Sequence, residues 1–231
     1  MKRFWTNTAI LNNGTSFSIE LDGRPVKLPS GTHLAVPYLP LANGIAKEWT
    51  DAPKDFSPEH LPLTRLASTA QERVALHRDS IISQLAAYGM NDLLCYRADS
   101  PPPLVARQSE VWDEWLNWAK ANYGIALHCT AGLVPINQPP STAAALHGIL
   151  STQENYTIAA LGAVIPALGS FVLGFALATK ALSAEAACKA AFLDELWQED
   201  HWGADDEAVN RRASIIHDVS LSARFMELCG T

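Results

Sequence analysis

Twenty-five consecutive residues, 155–179, carry no charge, and no other feature constrains the possible fold as strongly. The stretch includes IAALGAVIPALGSFVLGFALA, which meets the ~20-residue length of a membrane span. A run of this kind has to be shielded from water by lipid or by protein. Pro166, Gly169 and Ser170 lie at its centre, where they favour a break between two short helices over one straight rod. The flanking aromatic belts and asymmetric basic loop of a membrane helix are missing. The remaining chain is globular in character, and 231 residues that are 48% hydrophobic can bury a core of their own. The stretch therefore reads as a helix pair buried inside a helical domain, with no integral membrane span.

The first sixty residues have a different period. TAIL, SFSIEL, RPVKLP and HLAVP are short, partly alternating runs separated by NNG, DG and SG. Such pairs supply the positive φ that tight hairpin turns need. Three or four strands in a meander or small barrel are expected, with Pro25, Pro29 and Pro37 at strand ends or edges. YLPLANGIAKEWTDA then shows helical spacing through Leu41, Ile45 and Trp49 and stops at Pro53. From Ser57 onward the pattern is helical. LTRLASTAQERVALHRDSIISQLAAYG repeats apolar residues at three and four, with Gly89 as its expected C-terminal cap. DLLCYRA reads as a short strand, LVARQSEVWDEWLNWAKANYG as an amphipathic helix, and IALHCTAGLVPI as an extended segment. STAAALHGILST, the charge-free pair, SAEAACKAAFLDELWQEDHWG and a helix from Asp205 to Cys229 complete the chain. The expected fold is α+β, with a β-rich N-terminal domain at 1–58 and a larger, mainly helical domain at 59–231.

Several functional classes are excluded by what the residues lack. A net charge of −7, with Arg65, Arg73, Arg78, Arg97 and Arg107 scattered singly, argues against nucleic acid, whose phosphates are held by Lys/Arg patches. Cys95, Cys129, Cys188 and Cys229 form no CxxC and no disulfide-rich spacing, so free thiols in a reducing compartment are expected. GSFVLG lacks the spacing of a nucleophile elbow, and no Gly-rich phosphate loop or GxGxxG occurs. A carboxylate-bridged metal bundle needs E-x-x-H pairs, and the residue three before His201 is Gln198. His77, His128, His147 and His217 are isolated and read as structural. No metal, cofactor or small-molecule substrate is expected. MKRFWTNTAIL has no apolar stretch of signal-peptide length, which points to a cytoplasmic protein.

One segment resists a bland reading. DELWQEDHWGADDEA, residues 194–208, packs seven carboxylates, two tryptophans and a histidine into fifteen residues. Neither Lys nor Arg occurs between Lys189 and Arg211. Gly203 suits a helix stop, and Asp205 or Asp206 can cap the next helix. Asp205, Asp206 and Glu207 would sit at its positive end, worth ~0.3–1 kcal/mol each, and Glu207 is placed to pair with Arg211. Phe192, Leu193, Leu196 and Trp197 form an inward stripe. Glu195 and Glu199 share another face leading toward Trp202, where like charges one turn apart cost a few tenths of a kcal/mol. Caps with a solvated face, a partner contact and catalytic acids all remain open from composition alone. The catalytic version would be a metal- or acid/base-dependent hydrolase, with Glu195 and Glu207 facing one cleft across the Gly203 turn.

The order of motifs narrows this. RFW at 3–5, LDGRPVKLPSG at 21–31, EWT at 48–50, LPLTRLASTA at 61–70 and DLLCYRA at 92–98 occur in sequence. LVARQSEVWDEWL at 104–116, LGSFVLGFALA at 168–178, AAFLDELWQEDHWGADDEA at 190–208 and RR at 211–212 follow. Taken together the chain resembles the F1-ATPase assembly chaperones that attend the α subunit of ATP synthase in mitochondria and α-proteobacteria. The resemblance covers nearly the whole length. It implies a non-enzymatic chaperone with a β-rich N-terminal and a helical C-terminal domain. It also implies that the client is unassembled α subunit, held until a β subunit replaces it. Covering an exposed inter-subunit surface reversibly would limit aggregation. Mitochondrial members act in the matrix behind a presequence, whereas this N-terminus suits a bacterial cytoplasmic protein.

By the same resemblance the acidic C-terminal segment is a binding candidate. Asp205, Asp206 and Glu207 match the WGxDxEA pattern with one extra acid, and Glu195, Glu199 and Trp202 flank it. Trp5 and Trp49 are expected to be core aromatics that join the β unit to the helical one, so Trp49→Arg should destabilise the fold.

Overall fold

Glycines at positive φ turn the first part of the chain where the sequence asks for turns. Gly14, Gly23 and Gly31 adopt φ of 87°, 77° and 88° in the NNG, DG and SG pairs. In the computed structural model, which describes residues 1–132 and 135–230, β1 (Thr8–Asn12) and β2 (Phe17–Leu21) form an antiparallel hairpin. The tip is closed by Gly14 N–H donating to Asn12 Oδ1 at 2.8 Å. The Asp22 carboxylate accepts the amides of Thr6 and Asn7, which hold its pKa below the usual value. Two short strands, β3 (Arg24–Pro25) and β4 (Ala35–Val36), both pair with β2. RPVKLP is thus a strand over only two residues, with an isolated bridge from Lys27 to His33 beyond it. Two of its six residues are prolines, which cannot donate to a ladder.

Ile19, Leu21, Val26, Leu28, Leu34 and Val36 are buried from the sheet side. Helix α1 (Leu39–Asp51) packs against them through Leu41, Ala42 and Ile45 and ends just before Pro53. Then α2 (Pro62–Ser68) passes through a π-helical stretch, Thr69–Val74, into α3 (Ala75–Met90). His77 leaves helical geometry at φ −129° and kinks the run. Gly89 is not the cap expected of it. It lies inside α3, where a Cβ would sit 2.6 Å from Leu146 Cδ1, so its role is close packing.

After a 3-10 turn at Leu93–Cys95, β5 (Tyr96–Arg97) precedes α4 (Pro102–Tyr123), which Gly124 ends at φ +67°. Within IALHCTAGLVPI only β6 (Thr130–Ala131) is a strand, parallel to β5; Leu133 and Val134 of that stretch lie outside the described residues. Helix α5 (Pro140–Ser151) follows, then α6 (Asn155–Leu168) and α7 (Phe171–Ala178). The charge-free stretch is therefore two short helices, broken at Gly169 (φ +64°) and capped by the Ser170 hydroxyl on Leu173 N–H. Their lengths correspond to about 21 and 12 Å, short of the ~30 Å hydrocarbon core. Among the described residues no helix is long and apolar enough to cross a membrane. All eight residues of α7 are buried, and Gly174 lets α7 approach α6, since a Cβ there would meet Ile165 Cγ1 at 2.7 Å. The chain ends with α8 (Ala184–Ala191), α9 (Leu193–Trp202) and α10 (Asp206–Leu228).

By contact, one unit comprises residues 1–78, 154–160 and 224–231 and the other 79–153 and 161–223. The first holds the β-sheet, and the second is built from helices around Trp112, Leu146, Leu150, Phe171 and Ile165.

Candidate functional site

The acidic segment folds as a corner between α9 and α10. Phe192 and Leu193 are buried and Leu196 and Trp197 half-buried, so the inward stripe anchors α9. The helix stops at Gly203, whose φ of 92° no β-carbon-bearing residue adopts readily. Asp205 then caps α10, accepting the Glu207 amide at 3.3 Å.

Four of the seven carboxylates have side-chain partners within the fold. Asp194 accepts a 2.7 Å hydrogen bond from Gln108 on α4, and Asp200 pairs with Arg107 at 3.5 Å. Glu195 takes Arg211 at 2.6 Å and Arg212 at 3.4 Å, while Glu199 pairs with Arg212. Arg211 therefore bonds to Glu195, on the preceding helix, and not to Glu207 four residues upstream as helical spacing suggested. Arg212 is buried, so its charge has to be matched locally, and Glu195 with Glu199 does this. The like-charge cost of those two glutamates is offset by cations contributed from α10. The exposed Arg211 link contributes only ~0.2–1 kcal/mol.

The remaining side chains face solvent. Asp205, Asp206 and Glu207 are exposed, and no ion pair among the described residues involves them. Trp202 is 79% exposed, an unusual state for so large an apolar ring. His201 stacks on Trp197 at 4.3 Å and its Nδ1 contacts the Trp197 carbonyl, leaving Trp202 as the outermost ring. A further strip lies on α10, one that the letters do not reveal. Val209, Ala213 and Ile216 follow one another at helical spacing on the exposed side of α10. Their period was hidden by the inward set Ala208, Arg212, Ile215, Val219 and Ser222, which shares the same repeat. The corner thus offers acids, one indole and aliphatic side chains together, the mixture that interface centres and rims use.

Elsewhere the structure places Trp5 and Trp49 in one aromatic cluster. Trp5 is buried, meets Trp49 and Phe56 edge-on at 5.1 and 5.3 Å, and donates to the Trp49 carbonyl at 3.0 Å. Trp49 Nε1 donates to Thr64 Oγ1 at 3.1 Å and so ties α1 to α2. Beside it the Glu48 carboxylate accepts the amides of Leu63 and Thr64, capping α2 from outside, while burial pushes its pKa up. Asp92 does the same job for α7. It is fully buried, accepts Leu94 N–H and Val172 N–H at 3.0 Å each, and burial raises its carboxyl to about 6. An Asp two residues before a turn gives a weak sequence signal for the first of these bonds and none for the second. Among the described residues no group of three His, Cys, Asp or Glu side chains could hold a metal ion.

Comparison with known proteins gives consistent likenesses. The family model described as ATP12 chaperone protein matches residues 2–120. The chain is 28% identical over 219 residues to mitochondrial protein atp12 of Schizosaccharomyces pombe, covering 90% of this chain and 75% of that protein. The crystal structure of Atp12 from Paracoccus denitrificans superposes with a TM-score of 0.94 at 34% identity, over 98% of this chain and 97% of that one. A point mutant of the same Paracoccus protein gives a TM-score of 0.94 at 33% identity over the same shares.

Proposed function

Because the chain belongs to the ATP12 chaperone family, we propose that it assists assembly of ATP synthase by binding the unassembled α subunit of the F1 sector. On this reading it shields the α inter-subunit surface until a β subunit takes its place. The observation that carries the proposal is the exposed corner at the end of α9. Trp202, Asp205, Asp206 and Glu207 lack the internal partners that occupy Glu195 and Glu199. An exposed indole beside carboxylates that no cation among the described residues pairs suits a client surface with basic residues around an apolar centre. Glu195 and Glu199 then act by holding α10 against α9, with their outer edges available to the client.

The hydrolase reading has less support. Of the pair offered as acid and base, Glu195 and Glu207, Glu195 is turned toward Arg211 and Arg212 and neutralised there, which leaves Glu207 without its companion. The likeness to a Paracoccus denitrificans protein supports a bacterial setting, for which the cytoplasm is the compartment proposed; the S. pombe relative is named mitochondrial.

Charge reversal tests the site. Asp205→Lys with Glu207→Lys is expected to weaken binding to purified α subunit by at least tenfold. The lost cap costs only about 1 kcal/mol of stability, which circular dichroism would register as a folded protein. Trp202→Ala should produce a comparable loss with no change in thermal midpoint. Unchanged affinity in folded variants would reduce these residues to helix caps and surface.

A further inference from the structure

Two cysteines 34 positions apart are brought side by side by the short parallel pair β5–β6. Tyr96 pairs with Thr130 and Arg97 with Ala131, so Cys95 and Cys129 stand one step back in the same register. Neighbouring strands lie about 4.8 Å apart and side chains at one level leave on the same side. That separation falls within the ~4.4–6.8 Å between Cα atoms that a disulfide accepts. The Cys129 thiol turns toward the start of β5, its sulfur donating to the Leu94 carbonyl oxygen, beside Cys95, at 4.0 Å. Their access to solvent differs. Cys95 is completely buried, whereas Cys129 is the one exposed thiol of the four.

We propose that Cys95 and Cys129 form a reversible intramolecular disulfide when the protein meets hydrogen peroxide. Cys129 reacts first because it alone of the four thiols is exposed. Its thiolate sulfur displaces hydroxide from the peroxide: an S–O bond forms, the O–O bond breaks, and the hydroxide takes up the thiol proton to leave as water. The Cys95 sulfur then attacks the sulfenic sulfur. An S–S bond forms, the S–O bond breaks, and the second hydroxide leaves as water with the Cys95 proton. The two sulfurs lose two electrons, which reduce the peroxide. Burial pushes the Cys95 thiol pKa up and keeps peroxide from it, so it reacts only with the sulfenic sulfur beside it, to which it passes its proton as the S–O bond breaks. Cys188 and Cys229 do not compete, since both are buried and burial pushes their thiols up to about 11 and about 12. The bond closes the chain around α4 and ties the start of β5 to the start of β6.

The test uses the reduced full-length protein, treated with hydrogen peroxide, denatured, blocked with a maleimide and digested without reductant. A linked peptide carrying Cys95 and Cys129, released by dithiothreitol, is expected in a protein that stays monomeric. The thermal midpoint of the oxidised form should rise by about 5 °C or more. Cys129→Ser, a change at an exposed position, should abolish both the peptide and the shift. Cys129 found as sulfinic acid, or joined to a second molecule, while Cys95 still takes the maleimide would overturn the proposal.

Discussion

Asp92→Ala is expected to lower the thermal midpoint at neutral pH by roughly 5–10 °C, the largest effect of any change at a polar side chain. The two oxygens of Asp92 accept Leu94 N–H and Val172 N–H, and the Ser170 hydroxyl and Phe171 amide also donate to it. Alanine leaves these donors buried without an acceptor, at ~1–3 kcal/mol for each one not rescued by water. Removal of a desolvated charge gives part of this back. A net loss of about 3 kcal/mol remains, which in a chain of this size corresponds to the midpoint shift given. Asp92→Asn should fall between, since one amide oxygen can still accept but the NH2 opposes the other N–H. The effect has a pH signature. The folded protein holds the Asp92 proton more tightly than the unfolded chain does, about 6 against 3.8. The contribution of this carboxyl is therefore greatest below about pH 4, falls as pH rises through the window from 4 to 6, and is level above it. The gap between wild type and Asp92→Ala should widen as pH is lowered from 7 to 5. A gap that narrows would mean that the carboxylate, and not the acid, is the form the fold prefers.

Trp49→Arg should cost about 3–5 kcal/mol and sharply reduce the yield of folded protein. The substitution removes the Nε1 bond to Thr64 and the edge contacts with Trp5 and Phe56. It also sets a second guanidinium near Arg3, which already lies 5.5 Å from the Trp5 ring and donates to the Thr50 and Ala52 carbonyls. Like charges in a half-buried cluster add to the loss. Trp49→Phe keeps most of the ring contact and should cost only about 1 kcal/mol. Urea denaturation of the two variants separates these values. An unfolding free energy for Trp49→Arg within about 1 kcal/mol of wild type would contradict the cluster's structural role.

What could be read from the sequence follows from interaction range. The hairpin turns at Gly14 and Gly23 and the break at Gly169 and Ser170 depend on backbone conformations that few residue types tolerate, so the letters reveal them. The buried helix pair was legible because a charge-free run has few places to go. The π-helical stretch and the kink at His77 have no local cause of that kind, and the periodicity through them looks continuous. Gly89 reads as a cap because a glycine near a helix end resembles one, while the Leu146 side chain that excludes a Cβ lies far along the chain. The acidic corner divides the same way. The cap at Asp205 is local and visible in the letters, whereas Arg211 and Arg212 reach Glu195 and Glu199 only because the chain turns back at Gly203. The letters show no neutralising charge because the segment's cations come from other helices, Arg211 and Arg212 from α10 and Arg107 from α4.

The client assignment is tested most directly by capture from an equimolar mixture of purified α and β subunits of F1 on the immobilised full-length chain. Retention of α in stoichiometric amount, its release when β is added in excess, and no retention of β alone are predicted. Equal capture of both subunits, or of neither by folded protein, would contradict the account.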